Sequence, residues 1–218
     1  MHEIPIDPVK VIQGSLLKPR ETRGLIALLS DTNQGPQSEW NRMAAEVFCK
    51  AGFMTLRCGI QTPDELRQIY LTLDIPALAR RIGAVTRWVQ RNVSSVPHPV
   101  ILFATGFSAV AALWAAASNE SEIDAVVSVG DGPDLIASRL GDVRVPTLFL
   151  IGERDPYLSV IRQRVLAAVP NGQAAVISGA GHRLHEPGLL GSVTTEVRAF
   201  AERLHSRPRF TQHDAHFH

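Results

Sequence analysis

The stretch Pro99-Val100-Ile101-Leu102-Phe103-Ala104-Thr105-Gly106-Phe107-Ser108 decides how the chain is read. It opens with a short apolar run and leads into a block of small residues, Ala109-Val110-Ala111-Ala112-Leu113-Trp114-Ala115-Ala116-Ala117. The run fits a buried strand, and the alanine-rich block is a strong helix former. A strand that passes straight into a helix leaves room only for a sharp turn. In an open parallel sheet such a turn lies at the carboxyl edge, where ligands of α/β folds bind. The residue at that turn therefore bears on chemistry as well as fold.

Strand-like and helix-like segments alternate on both sides of this unit, which implies a mostly parallel twisted sheet with helices on both faces, an α/β fold. Before it, strands are expected at Val9–Leu17, Gly24–Leu29 and Phe53–Leu56. Ser38 caps a helix that carries Ala44, Ala45, Val47 and Phe48 on one side, and Gly52 stops it. The segment Gln61–Pro76 breaks the rhythm, and a long helix runs from about Ala77 to Val93. After it come strands at Ile123–Val129, Val145–Gly152 and Ala174–Ser178, with helices at about Leu158–Val169 and Leu189–Leu204. Arg207–His218 lacks periodicity, so residues 1–206 are read as one domain and 207–218 as a flexible tail.

Composition narrows the function classes. Of 218 residues 45% are apolar and 20% charged, which is ordinary for a globular domain. A net charge of +1 gives no electrostatic pull towards nucleic acid or an anionic membrane. The two cysteines, Cys49 and Cys58, sit in no metal-ligand spacing, and the first residues lack a basic-then-apolar leader. A cytoplasmic protein is expected, with no cofactor and no metal. The tail histidines His213, His216 and His218 are read as unligated. Trp40, Trp88 and Trp114 fall on helical patterns and read as packing residues. Asp131 and Asp134 follow a strand and read as caps for the next helix. Arg183 and His185 read as surface residues.

Two further loops give the turn its meaning. Glu153-Arg154-Asp155-Pro156 follows one late strand, and Gly179-Ala180-Gly181-His182 follows the next. A carboxylate and then a histidine at neighbouring strand ends can form a pair in which Asp155 fixes the tautomer of His182. From about Gly24 to Leu204 the chain resembles the dienelactone-hydrolase-like members of the α/β-hydrolase superfamily. It is similar in particular to the hydrolase-like domain found beside phosphoribosyltransferases. The resemblance rests on Ala51–Leu56, Thr62-Pro63-Asp64-Glu65, Ala125–Ser128, Pro133-Asp134-Leu135, Val145–Gly152, and Gly179–His182 with Glu186-Pro187-Gly188. It implies the α/β-hydrolase fold, and the short chain leaves little or no room for a cap domain.

The resemblance also exposes departures. Gly106 stands where the family places its nucleophilic serine, Ser108 where it places a glycine, and Ser30-Asp31 where it places a His-Gly pair near the oxyanion hole. A shifted register would make Ser108 the nucleophile, but β-branched Val110 two residues on fits an elbow badly. Ser30, Asp31 and Phe107 are candidates for contacts with substrate or a developing oxyanion. For Ser30 and Asp31 a polar turn bonding its own backbone is an equal alternative. Cys58 follows a strand and reads as a small buried filler, with a pocket-edge thiol as its rival.

Three functions stay open. The first is a small-molecule enzyme using His182 and Asp155 as a general base without a covalent serine. The second is a serine hydrolase of esters or lactones acting through Ser108, and the third a silent relative serving as a binding or scaffold subunit. The expected ligand is an apolar or carbonyl-containing small molecule. A homodimer is left open.

Overall fold

In the computed structural model eight strands form one sheet in the order β1-β2-β4-β3-β5-β6-β7-β8. The structure describes residues 1–8, 10–30, 38–62, 65, 74–93, 99–118, 122–130, 132–156, 160–182, 184 and 186–205. The strands are β1 (His2–Pro5), β2 (Val11–Leu17), β3 (Leu25–Ser30), β4 (Met54–Gly59), β5 (Val100–Thr105), β6 (Ala125–Val129), β7 (Thr147–Gly152) and β8 (Gly172–Ile177). From β4 to β8 every pairing is parallel, whereas β1–β2 and β2–β4 are antiparallel. The carboxyl ends of β3 to β8 thus share one edge.

Helices cover both faces. On one side α2 (Ile75–Asn92) and α3 (Phe107–Ala117) bury Ile82, Val85, Leu113 and their neighbours against Leu25, Ala27, Leu29 and Leu102. On the other, α1 (Glu39–Lys50) and α4 (Leu190–His205) bury Phe48, Val197 and Phe200 against Ile26, Leu28, Ile101 and Phe103. Adjacent residues of β3 point to opposite clusters, and all six are buried. That explains why the central strands are apolar throughout rather than alternating. Ser38 caps α1 by accepting from the Asn41 N–H at 3.1 Å, and Asp74 caps α2 by accepting from the Ala77 N–H at 2.9 Å.

The structure departs from the sequence reading at three places. The opening strand is β2, and a further strand, β1, pairs with it. The helix expected over Leu158–Val169 is present across 160–168, but it is wound as a π-helix at Ile161–Val165 before an α-helical turn at Leu166–Ala168. The turn after β6 leads into a 3-10 segment at Pro133–Asp142, with Gly132 rather than a side chain at its cap. Most of Gln61–Pro76, together with Asp131, the start of the 158–169 segment and the tail 207–218 with its histidines, lies outside the described residues, as does the side chain of Asp134. The three tryptophans pack as expected: Trp40 on Phe103, Trp88 on His2, and Trp114 beneath the Arg139 guanidinium. No helix among the described residues is long and apolar enough to cross a membrane.

Candidate functional site

The site is built from four strand ends. At the end of β5 the chain turns on Gly106, whose φ of 59° and ψ of −136° are open to glycine and strained for other residues. The Gly106 N–H donates to Val129 O at 3.1 Å, tying the turn to the end of β6. Gly130 follows, also at positive φ (79°). A methyl group on Gly130 would lie 3.3 Å from His182 O and 3.7 Å from His182 Nε2. The imidazole edge therefore rests over backbone that carries no side chain.

The other ring nitrogen is held from below. His182 Nδ1 lies 3.0 Å from Asp155 Oδ2, with the Asp155 side chain 1% exposed and that of His182 26% exposed. A carboxylate so deeply buried needs a partner that offsets its desolvation. Donation from Nδ1–H to Asp155 leaves the Nε2 lone pair as the basic position of the neutral ring. Such an arrangement can accept a proton at Nε2 and stabilise the resulting imidazolium. Gly152 allows the close approach on which this pairing depends. A Cβ there would overlap Gly181 O and lie 2.6 Å from Ala180 O.

The comparisons agree with this architecture. No protein-family model matches the sequence. A solved dienelactone hydrolase from Anabaena variabilis is similar with a TM-score of 0.83 and 29% identity, over 93% of this chain and 95% of that one. The chain has the α/β-hydrolase fold and is similar to a dienelactone hydrolase. Est1E from Butyrivibrio proteoclasticus shares the fold at a TM-score of 0.73 and 14% identity, over 94% of this chain and 99% of its own. In sequence, two Mycobacterium tuberculosis proteins named provisionally as phosphoribosyl transferases are 38% identical over 192 residues, 88% of this chain. The chain spans 43% of the length of those relatives.

The remaining candidates are placed as follows. Ser108 is the second residue of α3, fully buried, and its Oγ finds no hydrogen-bond partner among the described residues. Gly106, not Ser108, occupies the turn. Phe107 opens α3 and is 40% exposed beside it. Ser30 ends β3 at the same edge and is buried. Asp31, Arg183 and His185 lie outside the described residues. Cys58 is wholly buried, and burial pushes its thiol up to about 12, so it is a packing residue and not a pocket-edge nucleophile. Among the described residues no group of three or more His, Cys, Asp or Glu is placed to hold a metal ion.

Sequence reasoning missed the residues that grip the histidine loop. Glu153 Oε2 accepts from Ser178 Oγ at 3.0 Å and from the Gly179 N–H at 2.8 Å. These bonds lower the Glu153 carboxyl below its ordinary value. Glu186 Oε1 accepts from the Gly181 N–H at 2.6 Å. Leu184, two residues past His182, is 1% exposed and sits at φ 53°, a left-handed conformation held by its packing in the core. The sequence signal was an acidic residue in each loop, Glu153 shortly before Asp155 and Glu186 shortly after His182.

Proposed function

We propose that this chain is a small-molecule enzyme in which His182, oriented by Asp155, acts as a general base without a covalent serine intermediate. The observation that carries the reading is the 3.0 Å contact between His182 Nδ1 and Asp155 Oδ2, beside a turn occupied by Gly106. Nε2 takes a proton from a bound substrate, or from a water seated over Gly106 and Gly130. Asp155 stabilises the imidazolium, which then returns the proton to product. The positive end of the α3 dipole lies at the same turn and favours the negative charge that proton removal leaves on substrate. A positioned base supplies about 10²–10⁴-fold. That magnitude suits isomerisation, cyclisation, elimination or hydrolysis of a reactive ester or lactone, and falls short of peptide cleavage. The substrate class that fits is a small apolar or carbonyl-containing molecule.

We assign the transferase activity in the mycobacterial names to the part of those proteins that this chain does not cover. This chain carries an imidazole–carboxylate pair at the carboxyl edge of its sheet. Turnover of a panel of lactones, enol esters and aryl esters, followed by mass spectrometry, tests the reading. His182→Ala and Asp155→Asn should each lower the rate on any accepted compound by about 10²-fold or more. An unchanged rate in His182→Ala defeats it.

The scaffold reading is favoured by the same glycine, since an abandoned site needs no nucleophile. Gly106→Ser separates the two. Gain of esterase activity supports a working base, and continued silence with no turnover in the panel supports a scaffold. The Ser108 hydrolase loses ground because that hydroxyl is buried within α3.

A further inference from the structure

We infer that Glu153, Arg154 and Glu186 are positioning residues that clasp the loop bearing His182 to the end of β7 and so set the imidazole against Asp155. The inference rests on the general-base reading for its purpose and on geometry for its content.

The tripeptide Glu153-Arg154-Asp155 meets the histidine loop at every residue. Glu153 gives its backbone N–H to Ile177 O at 3.0 Å, and its carboxylate takes the Ser178 hydroxyl and the Gly179 N–H. Arg154 gives its N–H to Ala180 O at 2.9 Å, and its guanidinium donates to Gly179 O. Asp155 then reaches His182 itself. From the far side Glu186 takes the Gly181 N–H at 2.6 Å and lies 3.9 Å from the Arg154 guanidinium. Residues 178 to 182 are therefore each held by side chain or backbone from 153–155 or from Glu186.

This matters because, apart from the buried side chains of Ala180 and Leu184, the loop has little packing to fix it. Gly179 and Gly181 impose no side-chain packing, and Gly179 stands in the left-handed region with open space where a side chain would be. A loop with two glycines samples many conformations unless its amides are engaged. Acceptance by an ionised carboxylate is the stronger kind of hydrogen bond, and here it adds to the packing of Ala180. Glu153 and Glu186 touch no reacting atom; they act through the position of the ring.

The test reads the ring rather than turnover, so its result stands apart from the general-base proposal. Nitrogen-15 NMR of imidazole-labelled protein reports the His182 tautomer and the exchange of its Nδ1 proton with solvent. Native protein should show one tautomer, protonated at Nδ1, with slow exchange. Glu186→Ala should remain folded and exchange that proton about tenfold faster or lose the fixed tautomer. Glu186→Gln, which keeps an acceptor oxygen, should return exchange to within about threefold of the native rate. Glu153→Ala and Glu153→Gln repeat the comparison from the other side of the loop, and decide the matter if Glu186→Ala does not fold. Glu202→Ala, on the exposed face of α4, is the control and should change nothing. Native tautomer and exchange rate in both alanine variants would overturn the inference.

Discussion

Replacing Gly152 by alanine should be among the most damaging single methyl additions in the molecule. The new Cβ would overlap Gly181 O and lie 2.6 Å from Ala180 O and 2.7 Å from Gly181 C. All three atoms are backbone, so no side-chain rotation can relieve the contact. Overpacking a well-filled site costs about 1–3 kcal/mol, and a backbone obstacle places this case near about 3 kcal/mol. In a chain of this size that corresponds to a fall in Tm of roughly 6–12 °C. The hydrogen bond from Arg154 N–H to Ala180 O would open, and the histidine loop would move off the strand end. Gly191→Ala provides the opposing case. Nothing lies within 4 Å of its added methyl, and alanine is the better helix former, so Tm should rise by roughly 1–4 °C. Thermal denaturation followed by circular dichroism compares the two. A Gly152→Ala variant melting within about 2 °C of native protein would refute the close approach of β7 to the histidine loop.

Gly106→Ser should place a hydroxyl at the turn at a cost of about 1–2 kcal/mol for the left-handed backbone. A fluorophosphonate probe followed by peptide mapping should label the introduced hydroxyl at position 106 in that variant and leave Ser108 unlabelled in native protein. Glu65 should contribute to acid sensitivity. Burial raises its carboxyl, but bonds from Arg81, Lys10 and the Thr62 N–H outweigh that and hold it at about 2. A carboxyl lowered in this way stabilises the fold above its ordinary pKa, and the gain disappears as pH falls from about 4.5 towards 2. Glu65→Gln should therefore melt below native protein at pH 7, by an amount of about 1–2 kcal/mol after solvent screening, and the gap should close in acid. Titration with Ellman's reagent should modify Cys49 slowly in folded protein and reach Cys58 only on unfolding, since the first is half-buried and the second wholly buried. Equal rates for both thiols would contradict the burial of Cys58.

Much of the framework was legible because its signals are local. Central strands such as Leu25–Ser30 are apolar on both faces, and helix starts such as Ser38 announce themselves through capping chemistry. Asp155 and His182 were legible because each follows a strand, and parallel strands bring their ends to one edge. What escaped depends on distant partners. Strand β1 contains Pro5 and a single buried residue, Ile4, so it shows no periodicity and exists through pairing with β2. Strand β4 runs on past Leu56 because Arg57 finds Ser15 on β2 and Cys58 fills the core. The Glu153 contacts with Ser178 and Gly179 join residues 25 and 26 positions apart, beyond any repeat a sequence pattern carries.

The turn at Gly106 and the pair beneath it carry different weight. Glycine adopts a φ of 59° without the penalty another residue meets, so the sharp bend forms at little cost and says little about use. Asp155 is another matter. Its side chain is 1% exposed, and a carboxylate in that position is unfavourable by several kcal/mol unless its charge is engaged. A buried asparagine or leucine would let the same strand end pack without that penalty. The carboxylate gains its compensation from the His182 ring, which in turn needs a loop held in place by Glu153 and Glu186. Asp155 on one ring nitrogen, with the opposite nitrogen facing Gly130 and the loop held by Glu153 and Glu186, is what favours a working base over a relic. A relic has no use for a buried carboxylate held against an imidazole in this way.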